Sequence, residues 1–106
     1  MTHALRFAPE ALEQLEALEA YIAQSASPQR AAEFVDAIVD HCEKLRTFPQ
    51  RGTKRDDLRP GLRTLGFRRR VTILFEVSQE TITILGIFYG GRNYEADFGE
   101  DASPDE

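Results

Sequence analysis

Two neighbouring runs, residues 70–77 and residues 81–89, constrain the fold of this chain more than any other segment. Both runs are rich in β-branched and aromatic residues, which favour extended strands. Only Ser78-Gln79-Glu80 separates them, and so short a polar connection predicts an antiparallel hairpin. The chain must therefore cover at least one apolar face of a sheet.

With Gln79 and Glu80 as the turn residues, side-chain alternation divides the hairpin into two faces. The pairs on the first face are Val77–Ile82, Phe75–Ile84, Ile73–Gly86 and Val71–Phe88. The pairs on the second face are Leu74–Leu85, Thr72–Ile87 and Arg70–Tyr89. Because helices cover only one side of a small sheet, we expect an exposed apolar patch on the second face, formed by Leu74, Leu85, Ile87 and Tyr89. The alternative is that loop 49–60 or the C-terminal tail covers this patch.

Upstream of the hairpin, two segments carry apolar residues at helical spacing. Pro9 begins the first segment, residues 9–23. Ser27 and Pro28 are typical of the N-cap and first residue of the second, which reaches Leu45. The short connection between them predicts an antiparallel helical hairpin.

Extended segments at residues 3–7 and 62–67 complete the predicted order β-α-α-β-β-β. We expect an α+β domain over residues 1–96, with the N-terminal helical hairpin packed on one face of a small, mainly antiparallel sheet. Residues 97–106 contain five carboxylates and one large apolar side chain, Phe98. That composition predicts an acidic, flexible tail.

Composition excludes several classes of protein. The chain has 106 residues, 42% of them apolar, which is enough for one small core. No apolar run approaches the roughly 18–20 residues of a membrane span. The N-terminal residues do not resemble a secretory signal. A single cysteine, Cys42, excludes a disulfide framework and favours a cytoplasmic location.

The net charge is −5, but the charged residues are distributed unevenly along the chain. Residues 44–70 carry ten basic residues against two acidic ones, whereas the segments on both sides are acidic. The basic segment favours an anionic partner, and ordinary solvated charge is the alternative.

Five motifs follow one another along this predicted layout. They are the helix-Ser27-Pro28-helix junction, Phe48-Pro49-Gln50-Arg51-Gly52, Pro60-Gly61-Leu62-Arg63, the strand at residues 71–77, and the run at residues 84–95 that includes Gly90-Gly91-Arg92-Asn93-Tyr94. Together they resemble the toxins of bacterial type II toxin–antitoxin systems, in the RelE/ParE superfamily and nearer to its ParE branch. The resemblance covers about residues 4–95.

The resemblance implies two alternative activities. ParE-like toxins poison DNA gyrase without catalytic chemistry of their own, and RelE-like toxins are ribosome-dependent mRNA endoribonucleases. RNA cleavage needs a proton acceptor, a proton donor and cations at the phosphate. In this chain the candidates for those roles are Arg63, Arg70, Tyr89 and Arg92. Tyrosine, with a pKa of about 10, is a poor base and no histidine or glutamate accompanies it, so the non-enzymatic activity is favoured. A non-toxic interaction module is a third alternative.

The ParE interpretation assigns roles to particular residues. For binding of the target, DNA gyrase, it assigns Arg63, Arg70, Arg92 and Tyr94. For binding of a ParD-like antitoxin, it assigns the patch formed by Leu74, Leu85, Ile87 and Tyr89. No cofactor, metal or membrane partner is expected, and contact with nucleic acid is expected only through the target. His41 and Cys42 are neighbours on a helix and point about 100° apart, so they do not form a ligand pair.

Overall fold

The structure, a computed structural model, describes residues 3–90. Its elements are β1 (Ala4–Phe7), α1 (Pro9–Ser25), α2 (Pro28–Glu43), β2 (Thr53–Lys54), β3 (Leu62–Phe67), β4 (Val71–Val77) and β5 (Thr81–Tyr89). The predicted α+β class is confirmed, and β2 is a short strand within the segment predicted as loop 49–60. Arg92, Tyr94 and the tail at 97–106 lie outside the described residues.

Local capping interactions and proline positions determine the limits of the helices. The Ser27 side chain caps α2, because its Oγ accepts a hydrogen bond of 3.1 Å from the Arg30 N–H. Pro28 follows in the first turn, where a missing N–H costs nothing. A 3-10 turn at Lys44–Arg46 then ends the helical hairpin. Each helix buries one stripe against the sheet: Ala11, Leu15 and Leu18 from α1, and Ala31, Ile38 and Cys42 from α2.

The sheet has the strand order β1-β5-β4-β3-β2. β1 runs parallel to β5, and every other neighbouring pair is antiparallel. The predicted turn between β4 and β5 is confirmed, since Val77 pairs with Ile82 and the Ser78 N–H donates to the Thr81 carbonyl at 2.9 Å. The last strand of the described chain therefore lies inside the sheet, between β1 and β4.

A β-bulge interrupts the pairing of β4 with β5 and corrects the predicted register. Phe75 pairs with Ile84 as predicted, but Leu74 pairs with Gly86, so Leu85 is the extra residue of the bulge. One inserted residue moves every later side chain of β5 to the opposite face. The predicted pairs beyond the bulge are wrong, and the observed ones are Ile73–Ile87, Thr72–Phe88 and Val71–Tyr89.

The shifted register also corrects the predicted exposed patch. Ile87 and Tyr89 pack on the helix-covered face, with Ile73 and Phe75 in the main core. Leu74 is buried on the other face, in a second cluster with Leu62 and Phe88, against which Leu58 and Leu85 pack. Leu74, Leu85, Ile87 and Tyr89 therefore do not form one exposed row. Through Leu58, the loop before β3 covers part of the second face, which was the alternative left open by the sequence.

Candidate functional site

A groove lies between α1 and the end of β5, beside the predicted site residues Ile87 and Tyr89. Its volume is about 440 Å³. It is lined by Gln14, Ala17, Leu18, Tyr21, Ile87, Tyr89 and Gly90. We call it the α1–β5 groove. Its lining is chiefly apolar, and Tyr21 on its rim is 57% exposed.

The floor of this groove is an unpaired strand edge. On the β1 side of β5, pairing extends only as far as Ile84, and within residues 3–90 no strand continues along that edge beyond Ile84. Gln14 meets this edge, because its Oε1 accepts a hydrogen bond of 2.7 Å from the Ile87 N–H. Backbone groups alternate in direction along a strand, so the Tyr89 N–H and carbonyl face the groove as the Ile87 N–H does. The α1–β5 groove can therefore accept an added strand or a helix with an apolar face.

Aromatic rings fill the space around Tyr89. Its ring centroid lies 5.8 Å from that of Tyr21 and 6.4 Å from that of Phe34. Such contacts hold the ring on the sheet through packing and edge-on aromatic interactions. Tyr89 is half-buried in a largely apolar setting, and among residues 3–90 no arginine lines the groove.

Arg63 lies elsewhere, at the β2 side of the sheet. Its Nε donates to the Arg51 carbonyl at 3.0 Å, and its Nη1 donates to Gln50 Oε1 at 3.3 Å. These bonds fasten the loop before β2 to β3. In the structure, Arg63 therefore acts as an anchor for that loop, a role that sequence reasoning missed.

Of the residues predicted for an endoribonuclease, Arg63 and Tyr89 lie apart, and Arg92 is outside the described residues. Arg63 pairs with Phe75, four residues along β4 from Val71, the partner of Tyr89. At about 3.3 Å per residue, the offset along the strands is about 13 Å. A phosphate contacting Tyr89 would lie beyond the reach of an Arg63 guanidinium that holds the loop. Arg70 is closer to Tyr89, since its carbonyl accepts from the Gly90 N–H at 2.8 Å, but its side chain is exposed on a turn.

That turn joins β3 to β4 through three consecutive arginines, Arg68, Arg69 and Arg70, which we call the arginine turn. Arg68 and Arg69 have φ angles of 52° and 59°, and the Arg70 N–H donates to the Phe67 carbonyl at 3.1 Å. This is the geometry of a type I′ turn, in which both central residues are left-handed. In the sequence these arginines are three of the ten basic residues of segment 44–70, and only the backbone angles distinguish them.

Two titratable groups on α2 do not form a reactive site. Cys42 is fully buried, and burial followed by the nearby Glu43 charge raises the pKa of its thiol to about 12. A thiol with such a pKa stays protonated and unreactive. The pKa of His41 is lowered, first by burial and then by the positive charges of Arg51 and Lys44. The part of the chain at residues 3–90 contains no group of three His, Cys, Asp or Glu side chains placed to hold a metal ion.

Comparison with known proteins identifies the family of the chain. Residues 5–94 match the family model described as the ParE toxin of the type II toxin–antitoxin system parDE. The chain belongs to this ParE family. The match confirms the resemblance drawn from the five motifs. Toxin ParE3 of Caulobacter vibrioides is 39% identical to the chain over 57 residues, which are 54% of this chain and 56% of that toxin. The match thus spans about half the length of that curated relative.

Solved structures agree with the family assignment. The chain superposes on one from the chromosomal ParDE TA system of P. aeruginosa with a TM-score of 0.73 and 27% identity, covering 84% of this chain and 97% of that one. A chain of the toxin–antitoxin complex RelBE2 from Mycobacterium tuberculosis gives a TM-score of 0.59 at 19% identity, over 84% and 99% of the two chains. The second likeness shows the shared fold. Among the described residues of this ParE-family chain, no helix meets the length and hydropathy needed to cross a membrane.

Proposed function

We propose that this ParE-family chain is a toxin that binds and poisons DNA gyrase without catalysing a reaction, and that a ParD-like antitoxin neutralises it in the cytoplasm. The observation that carries the non-enzymatic part is the separation of Arg63 from Tyr89, together with the apolar rings around Tyr89. An endoribonuclease needs its acid, base and cations at one phosphate. Family membership over residues 5–94 supports the toxin role.

The α1–β5 groove is the surface on which we place the antitoxin. It replaces the exposed patch expected from the sequence, and it retains Ile87 and Tyr89 from that assignment. An added strand would pair with the open edge of β5 beyond Ile84, while an apolar side chain would fill the space beside Tyr21. The structural relatives from a ParDE system and from a RelBE2 complex support an antitoxin partner of this kind.

Induction of the toxin alone in bacterial cells tests the proposed target. Gyrase poisoning predicts a DNA-break response, with transcripts that remain intact over the same period. The isolated protein should also increase the fraction of plasmid that purified gyrase leaves cleaved. Transcript cleavage at ribosomes, without a DNA-break response, would replace this proposal with the endoribonuclease alternative.

The substitution Tyr89→Phe sharpens that experiment. It keeps the ring contacts with Tyr21 and Phe34 and removes only the hydroxyl group, which is the proton carrier of the endoribonuclease alternative. We expect growth inhibition by this variant to equal that of the original chain. A variant that is folded but harmless would favour catalysis.

A further inference from the structure

We propose that the arginine turn binds the phosphate backbone of duplex DNA, so that the toxin contacts the DNA held by gyrase as well as gyrase itself. This proposal adds a DNA contact to the proposed function. Its claim that the contact occurs on gyrase rests on the proposed function. From the sequence, contact with nucleic acid was expected only through the target. Three observations at Arg68, Arg69 and Arg70 lead to a direct contact.

The first observation is the backbone of the turn. A left-handed conformation is unfavourable for residues that carry a Cβ, and a type I′ turn strongly prefers Asn-Gly. Here both left-handed positions are arginines, with φ angles of 52° and 59°. Residues held in such conformations cluster at functional sites, where the strain serves a purpose. What arginine supplies here, and Asn-Gly cannot, is positive charge at a fixed place.

The second observation is that the three guanidinium groups are exposed and have no carboxylate partner among the described residues. All three residues are exposed, and within residues 3–90 no carboxylate lies within 4.0 Å of their side chains. Three other arginines of the basic segment are paired: Arg46 with Glu43, Arg55 with Asp57, and Arg59 with Glu76. The arginine turn thus places three adjacent positive charges at one point without a carboxylate partner among residues 3–90.

The third observation is the order imposed on Arg68. Its guanidinium carbon lies 4.8 Å from the centroid of the Phe67 ring and 5.8 Å from that of Phe34. Stacking on two rings restricts the side chain before any ligand arrives and leaves its N–H donors available at the edges. Pre-ordering lowers the entropy lost on binding.

Duplex DNA fits these features better than an acidic protein does. Each strand presents a phosphate about every 3.4 Å along the helix axis, so adjacent guanidinium groups can each meet one. Arginine binds phosphate through two parallel N–H donors. The net charge of −5 opposes general attraction to a polyanion, so the contact depends on these few residues rather than on the charge of the whole molecule.

The test compares DNA binding by variants that remove equal charge. The first variant combines Arg68→Asn with Arg69→Gly, which installs the relaxed turn pair. The control combines Arg6→Gln with Arg30→Gln, two exposed arginines on β1 and α2. Affinity for a fluorescein-labelled DNA duplex is measured by anisotropy over a series of salt concentrations, and Tm is measured for each protein.

We expect the turn variant to bind at least about tenfold more weakly, with a salt dependence lowered by about 2 in the slope of log K against log salt, and to have a higher Tm. The control should bind nearly as the original chain does. A double change of Arg68→Lys with Arg69→Lys keeps the charge but loses the guanidinium stacking and the paired N–H donors, so its affinity should lie between those of the turn variant and the original chain. Equal losses in the turn variant and the control would overturn the proposal, as would tighter binding to poly-glutamate or to single-stranded RNA than to the duplex. Loss of both stability and affinity in the Asn-Gly variant would also overturn it.

A gyrase assay separates this inference from the proposed function. If the original chain does not raise the fraction of cleaved plasmid, the gyrase proposal fails whatever the anisotropy shows. If the original chain raises that fraction and the turn variant still binds gyrase but raises it less, the DNA contact is supported. An undiminished effect of the turn variant on plasmid cleavage contradicts the contact on gyrase.

Discussion

Gly52 lies in the loop after α2, close against the backbone of β3. Its φ angle is 77°, and a Cβ at this position would collide with the backbone carbonyl of Thr64. Both facts select glycine, because a left-handed backbone and a close approach each penalise a side chain. Arg63 fastens the same loop to β3, so one residue permits the approach and the other maintains it.

The substitution Gly52→Ala is therefore expected to lower the free energy of unfolding by more than about 2 kcal/mol. Gly66→Ala is the matched control, since a Cβ on Gly66 meets nothing within 4 Å. We expect the control to change stability by less than about 1 kcal/mol. Urea denaturation of the purified variants measures both. Equal effects at the two positions would show that the collision at Gly52 is relieved by movement of the loop.

A second single residue, His41, makes the stability of the fold depend on pH. The centroid of its ring lies 5.2 Å from that of Phe67, and its buried Nε2 has no hydrogen-bond partner among residues 3–90. Burial, Arg51 and Lys44 lower its pKa below the ordinary value of 6.5, while a hydrogen bond with the Gly66 backbone partly opposes them. The unfolded chain then binds more protons than the folded chain between the two pKa values, so stability rises with pH across that interval.

We therefore expect the free energy of unfolding to fall as the pH drops below about 6.5, and the fall to level off below the folded pKa of His41. In a His41→Gln variant this part of the pH dependence should disappear. Denaturant titrations at several pH values between about 5 and 8 measure the difference. Identical pH profiles for the two proteins would contradict the assignment.

At the scale of elements, the bulge in β5 decides which surface is available. Helices, strand limits and the β4–β5 turn could be predicted because each has a local signal: apolar spacing, the Ser27-Pro28 cap, and three polar residues between two β-rich runs. The bulge has no such local signal. The alternation of apolar and polar residues does not reveal it, because Leu85 and Gly86 fit either register. Only the neighbouring strand and α1, through Gln14 and Ile87, fix it.

The α1–β5 groove could not be predicted for the same reason. Its exposed rim residue, Tyr21, belongs to the helical pattern of α1 and carries no functional signal of its own in the sequence. The Tyr21 ring is 57% exposed beside an open strand edge, and it can be recognised as part of a binding surface only when the register of β5 is known.

The substitution Tyr21→Asp tests this element. We expect it to reduce co-purification with the ParD-like antitoxin by at least about tenfold, because a charge would be placed over the apolar groove. Leu12→Asp is the control, since Leu12 is 49% exposed on the same helix but does not line the groove. Tm values for both variants establish that they fold. Retention of the antitoxin by Tyr21→Asp would place the docking surface elsewhere.

At the scale of the whole molecule, the acidic segment at 97–106 stays a prediction, since it lies outside the described residues. One large apolar side chain against five carboxylates offers little burial to offset ordering. Truncation after Ala96 should therefore leave the Tm of the protein nearly unchanged in a thermal melt. A fall of several degrees would show that Phe98 packs on the domain.

The parallel pairing of β1 with β5 sets the order in which a newly made chain can complete its fold. The first strand finds its neighbour only after residues 81–84 have been synthesised, because Ala4 pairs with Thr81 and Phe7 with Ile84. Until then the apolar stripes of α1 and α2 have no finished sheet to cover, and contacts so distant along the chain form slowly. A product of early translational termination therefore lacks the interior strand and is exposed to proteases. Cells that make this protein are thus expected to accumulate only full-domain copies.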